Sequence, residues 1–118
     1  MPRYFTYYWM NKFCDYEEGQ EPEEELLTHL GGNRFLKKGV RPGDWVYLVT
    51  VKKGELYLLS RMEVAEIVDR EEAARLLDCS PDELWQAAEH LIANSETALP
   101  IRYNRWVSGQ VSTFNQAV

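Results

Sequence analysis

Cysteine is scarce: Cys14 and Cys79 stand far apart and outside any Cys-x-x-Cys pair, and only two histidines accompany them. That excludes a disulfide framework and leaves no metal-ligand spacing, so both thiols are expected to be free, as in a reducing compartment. No apolar run approaches the roughly 20 residues a helix needs to cross a bilayer. The N-terminus also lacks the charged, apolar, then small-residue pattern of a secretory signal. A cytoplasmic protein with no membrane partner is expected. Nucleophile motifs, a phosphate-cradling loop and a Walker lysine are missing as well, so no catalytic residue, metal or cofactor is assigned. Basic residues are outnumbered, 13 Lys and Arg against 19 Asp and Glu, for a net charge of −6. An overall balance of that sign argues against general nucleic-acid affinity, which rests on neutralised phosphates.

The distribution of charge softens that exclusion. Residues 15–25 hold acids and no base, whereas residues 33–54 hold Arg34, Lys37, Lys38, Arg41, Lys52 and Lys53 against Asp44 alone. Such segregation permits a local basic face on an acidic molecule, and an ordinary solvated surface is the plain alternative. At 118 residues the chain fits one domain, 1–118, which at this size buries roughly 60 to 70% of its unfolded surface.

What is present is β-structure. Residues 3–9 alternate Tyr4, Thr6, Tyr8 with Phe5, Tyr7, Trp9, an aromatic and β-branched pattern that predicts a strand covered on both faces. Residues 45–51 form a second strand, entered through Arg41-Pro42-Gly43-Asp44, where Pro42 presets φ and Gly43 takes the position that often needs positive φ. Lys52-Lys53-Gly54 turns the chain into residues 55–68, long enough for one bent strand or two joined by a bulge near Ser60-Arg61. Leu99 to Val107 reads as a final strand, and residues 110–114 as a further one.

Helices are expected between these strands. Pro22 opens one over residues 22–30, with Leu26, Leu27 and Leu30 on a buried face and Gly31-Gly32 as its stop. Asp69-Arg70-Glu71-Glu72 resembles a capping box before the stripe of Ala73, Ala74, Leu76 and Leu77. Ser80-Pro81-Asp82-Glu83 repeats that signal for a helix to about Ala93 burying Leu84, Ala87, Ala88, Leu91 and Ile92. Trp85 would be a lid over the core edge, and His90 and His29 surface or locally bonded side chains.

The order Asn33, Phe35, Gly39-Val40, Pro42-Gly43-Asp44, Val46-Tyr47, Gly54, Leu56-Tyr57-Leu58, Arg61 and Val64 resembles the PUA-like superfamily, with the EVE, YTH and ASCH groups nearest. The resemblance implies an α+β fold, a PUA-like mixed or antiparallel β-barrel with peripheral helices. It further implies a binding module that receives a modified or flipped-out nucleobase of DNA or RNA at the barrel mouth. Asn33, Arg34 and Phe35 supply an amide, a guanidinium and an aromatic ring in succession, types suited to a base edge, a phosphate and a stacking face. Asn33 could equally cap the following turn while Phe35 and Leu36 pack inward. The resemblance places the loop after the first strand at the pocket, making Trp9 and Asn11 candidates beside Asn33 and Arg34, with Lys37 and Lys38 on phosphates. Trp9 as plain core is the competing reading. Two alternatives remain open: an ASCH-type hydrolase of modified nucleosides, whose Thr, Lys and Glu have counterparts in type at Thr6, Lys12 and Glu63 but at no matching spacing, and a protein-interaction domain docking a basic partner through residues 15–25.

Overall fold

The computed structural model describes residues 3–9, 26–52, 54–101 and 106–107. Among the described residues six strands and one α-helix follow in the order β1 (Tyr4–Tyr8), β2 (His29–Gly32), β3 (Trp45–Lys52), β4 (Glu55–Val68), α1 (Arg70–Leu77), β5 (Glu89–Ala93) and β6 (Trp106–Val107). They form one mixed sheet in the order β1-β3-β4-β5-β2, with β6 pairing β4. Only β1 and β3 run parallel; the other pairs are antiparallel. Among the described residues no backbone ladder joins β1 to β2, so the sheet is open between its two end strands.

The expected hairpin forms. Asp44 N donates to Arg41 O at 3.0 Å, closing the turn, and Gly43 takes φ +93°. β4 is one long strand whose register against β3 shifts between Leu48 and Val49, which leaves Leu59 as the extra residue one position from the expected bulge. A second shift, between Val64 and Glu66, bends β4 away from β3 and onto β5. The extra residues add local twist, so one strand serves both halves of the sheet.

The bent sheet carries a core on each face. Phe5, Leu27, Leu30, Phe35, Val40, Val46, Leu48, Leu59, Met62, Val64, Leu91 and Ile101 pack on one side, while Ala73, Ala74 and Leu84 meet Val68, Leu77 and Ile92 on the other. α1 is the helix its capping residues predicted: Asp69 accepts from Glu72 N at 2.8 Å. Phe35 packs inward, but Leu36 is exposed, and so are Tyr4 and Tyr8, which leaves β1 covered on one face only at those positions.

Two expected helices are overturned. Within the described part of 22–30, Leu26 bridges to Pro100 and His29 enters β2. Gly31 and Gly32 stop nothing; they are strand residues chosen for close approach. A Cβ on Gly32 would sit 2.9 Å from Phe35 Cζ, and one on Gly31 would sit 3.1 Å from the His90 ring. The capping box at Ser80 does form, with Glu83 accepting from Ser80 N at 2.7 Å, but only a single 3-10 turn (Pro81–Glu83) follows. Beyond it, Leu91 faces the larger core and Ile92 the smaller, so β5 is buried on both sides. A strand buried on both faces reads as a continuous apolar run, which periodicity alone does not separate from a helix. Ladders to β4 and β2 on both its edges then decide for the strand. Of the expected last strand only Trp106–Val107 pairs with β4; residues 102–105 and 110–114 lie outside the described residues, as do Asn11, Lys12, Cys14 and the acidic segment 15–25.

Asp44 ties β1 to this hairpin. Its carboxylate, almost fully buried, accepts from Arg3 N at 3.0 Å and Arg41 N at 2.8 Å, and the Arg3 guanidinium stands 3.7 Å away. Removing such an acceptor leaves two main-chain donors in a site with little access to water. Asp44→Ala should therefore lower the free energy of unfolding by about 2–4 kcal/mol in urea titration, and a loss under about 1 kcal/mol would refute the anchoring role.

Candidate functional site

The gap between the sheet's two end strands is where a ligand can enter. Phe5, Tyr7 and Trp9 point to the larger core, as alternation along β1 requires. From that position Tyr7 reaches across: its hydroxyl donates to Gly31 O at 2.7 Å, and its ring stacks with Phe35, centroids 6.0 Å apart. Burial raises the Tyr7 pKa above its ordinary value, so the phenol remains the donor across the working pH range. Trp9, just past β1, is held by its backbone; its N donates to Val49 O at 2.9 Å and its O accepts from Thr50 Oγ1 at 2.9 Å.

A cavity of about 180 Å³ opens beside this bridge, lined by Tyr7, Trp9, residues 26–31, Trp85 and Ile101. None of these described lining residues carries a formal charge apart from what His29 acquires by protonation. Main-chain groups supply polarity. Ala93 N donates to Thr28 O, which fixes the ladder phase and turns the backbone groups of His29 and Gly31 away from β5, toward the open edge. The volume is below the ~300–1,000 Å³ of pockets for drug-sized ligands, so the cavity has room for no more than a small fragment such as one planar ring system.

A larger hollow, about 450 Å³, lies over Tyr47, Leu58, Leu59, Ser60, Arg61, Leu99 and Pro100. Its guanidinium is already placed over the Trp45 ring, 4.8 Å from the centroid. The smaller cavity has the more specific lining, two tryptophans and an oriented strand edge, and is the candidate site.

Of the residues singled out by sequence, Trp9 lines this cavity and is half-buried, packed on the core as well. Asn33 is exposed and does not line the cavity, although it lies two residues from Gly31, a chain distance of at most about 7 Å. Its Oδ1 accepts from Ala88 N at 2.7 Å, which is neither a cap on its own turn nor a free amide. Arg34, Lys37 and Lys38 are exposed on the turn that follows β2. Lys38 N donates to Arg34 O, and Gly39, at φ +87°, is met by the Arg3 guanidinium on its carbonyl. None of these three cations lines the cavity, and Asn11 lies outside the described residues.

Trp85, expected as a lid over the core edge, and Tyr7, expected only as a strand residue, also line the cavity. Trp85 is 60% exposed yet lines the cavity, and its Cβ comes within 3.3 Å of the point where a Gly31 side chain would start. The signal for it was the pair of glycines, whose missing side chains mark a place for something else. Thr6 is buried, and Glu63 Oε1 already accepts from Asn94 Nδ2 at 2.8 Å and Thr97 Oγ1 at 3.1 Å. Comparisons with protein-family models, curated proteins and solved structures returned no match.

His90 supports the cavity floor from behind. It is fully buried opposite Gly31, with Nε2 against Ala87 O at 3.2 Å. Burial depresses its pKa; the hydrogen bond to Ala87 O opposes this, and the smaller effects of the Arg70 and Asp69 charges lower and raise it respectively. The folded protein therefore binds this proton less readily than the unfolded chain. Stability from neutral His90 is complete above the unfolded histidine value, about 6.5, and drains away as pH falls from there through the folded value. Melting temperature should drop between pH 7 and 5, and His90→Gln should flatten that part of the profile; an equally steep profile in the variant would contradict this.

Proposed function

We propose that this chain is a PUA-like binding module that admits a single flipped-out or modified nucleobase of DNA or RNA into the cavity between β1 and β2. The observation that carries the reading is the cavity itself: Trp9 and Trp85 are among its lining residues, and the ladder phase turns the Gly31 N–H on the β2 edge away from β5. Stacking on aromatic side chains contributes ~1–3 kcal/mol per base and tolerates any base because each has a π-face. The strand edge would then select among base edges. Arg34, Lys37 and Lys38, exposed on the adjoining turn, would meet the flanking phosphates. A net charge of −6 is compatible with this, since a single pocket and a short cationic turn need no basic surface elsewhere. In this reading the open sheet, with Tyr7 spanning its gap, is the barrel of the superfamily with its mouth at the site.

Binding of single-stranded oligonucleotides with and without a methylated base tests the proposal. Trp85→Ala should weaken binding by about five- to hundredfold, the equivalent of ~1–3 kcal/mol, at unchanged stability because the ring is exposed. Trp9→Ala should lose binding and also ~1–2 kcal/mol of stability, because part of that ring packs on the core. Lys37→Ala should weaken all sequences alike and reduce the salt slope by about one. Full binding by both tryptophan variants would sink the proposal.

A further inference from the structure

Residues 84–88 carry Trp85 but have no regular secondary structure, so something else must place that ring. Arg70 Nη2 donates to Leu84 O at 3.4 Å, His90 holds Ala87 O, and Ala87 N donates to Trp85 O at 2.8 Å. These bonds tie the segment to its own side of the sheet. Two further bonds come from the turn after β2. Ala88 N donates to Asn33 Oδ1 at 2.7 Å, and Leu36 N donates to Glu89 Oε1 at 3.0 Å. Residues 33–36 thus grip residues 88–89 at two points, one with a side chain on a main chain and one the reverse.

We infer that Asn33 is a positioning residue whose amide sets the Trp85 wall of the cavity, an inference that rests on the proposed nucleobase site for its ligand. A main-chain N–H can be satisfied only by an acceptor, so Oδ1 is turned to Ala88 and the amide plane is fixed by that bond. Bidentate reading of a base edge needs that same oxygen and the amide NH₂ turned together toward the ligand, whereas the fixed amide stands outside the cavity lining. Its influence on the ligand therefore passes through Trp85. Gly31 completes the arrangement, since a side chain there would meet Trp85 Cβ and the His90 ring.

Amide exchange at Ala88 and motion of the Trp85 indole, followed by NMR in the full chain, test this directly. Asn33→Ala should speed exchange at Ala88 about tenfold, the weight of one net hydrogen bond, and loosen the indole. Asn33→Asp keeps an oxygen acceptor and should hold both at their original level. Binding of adenosine and cytidine 5′-monophosphates should follow the indole, weakened about tenfold by Asn33→Ala and retained by Asn33→Asp. Should Asn33→Ala not fold, Asn33→Ser, whose hydroxyl stops short of Ala88, gives the same comparison. Unchanged exchange and indole motion in Asn33→Ala overturns the inference. So does loss of binding in Asn33→Asp with Trp85 still ordered, which would make Asn33 a direct base contact. If neither these nucleotides nor the methylated single-stranded oligonucleotide binds the original protein, the nucleobase reading fails, while exchange and indole motion still decide the role of Asn33.

Discussion

A hydrogen bond from the Tyr7 hydroxyl to the Gly31 carbonyl spans the two end strands of the sheet, and the candidate site depends on it. Backbone pairing would have closed the same gap and filled it. A side-chain bridge keeps β1 and β2 in register with one another while leaving a space on their shared flank. The bridge in turn depends on Phe35, which stacks on Tyr7 and occupies the room that Gly32 leaves open. Tyr7, Gly31, Gly32 and Phe35 are thus one packing unit, and none of their roles is independent of the others.

The bend in β4 makes that unit possible. With its first half laddered to β3 and its second half to β5, the strand swings β2 round toward β1. The two bulges are what let a single strand of 14 residues change partners. Asp44 fixes the start of this arrangement, binding the backbone of both Arg3 and Arg41 from a buried position. The β5 strand fixes its end, since burial on both faces and pairing on both edges leave it no alternative conformation. Function, on the reading proposed here, is concentrated where this curled sheet stops short of itself.

Local chemistry was legible in the sequence wherever a residue's own backbone preference decided the outcome. Pro42 and Gly43 made the turn they predict, Asp69 capped α1, and Ser80 with Glu83 closed a capping box. What followed Ser80 was not legible, because Leu91 and Ile92 sit at a spacing that serves a helix face or the two faces of a strand equally well. Their partners, β4 and β2, are distant in the chain, and only tertiary pairing separates the alternatives. The same holds for Gly31 and Gly32, which look like a helix stop until Phe35, His90 and Trp85 are seen against them. Trp9, read from its place after an aromatic strand, lines the cavity. Asn33 stands outside the cavity lining with its Oδ1 on Ala88 N, a partner 55 residues away that no local pattern announces. Trp85 was hidden in a stretch that reads as helix, where a tryptophan beside an apolar stripe has an ordinary explanation.

The cavity between β1 and β2 is the element on which this account stands, and titration of the isotopically labelled full chain examines it residue by residue. A single-stranded oligonucleotide carrying one methylated base should shift the indole resonances of Trp9 and Trp85 and the amide of Gly31 most strongly, with smaller changes at Arg34, Lys37 and Lys38. Shifts confined to the opposite face, at Tyr4, Trp45 and Tyr47, or no shifts at any residue, would contradict it.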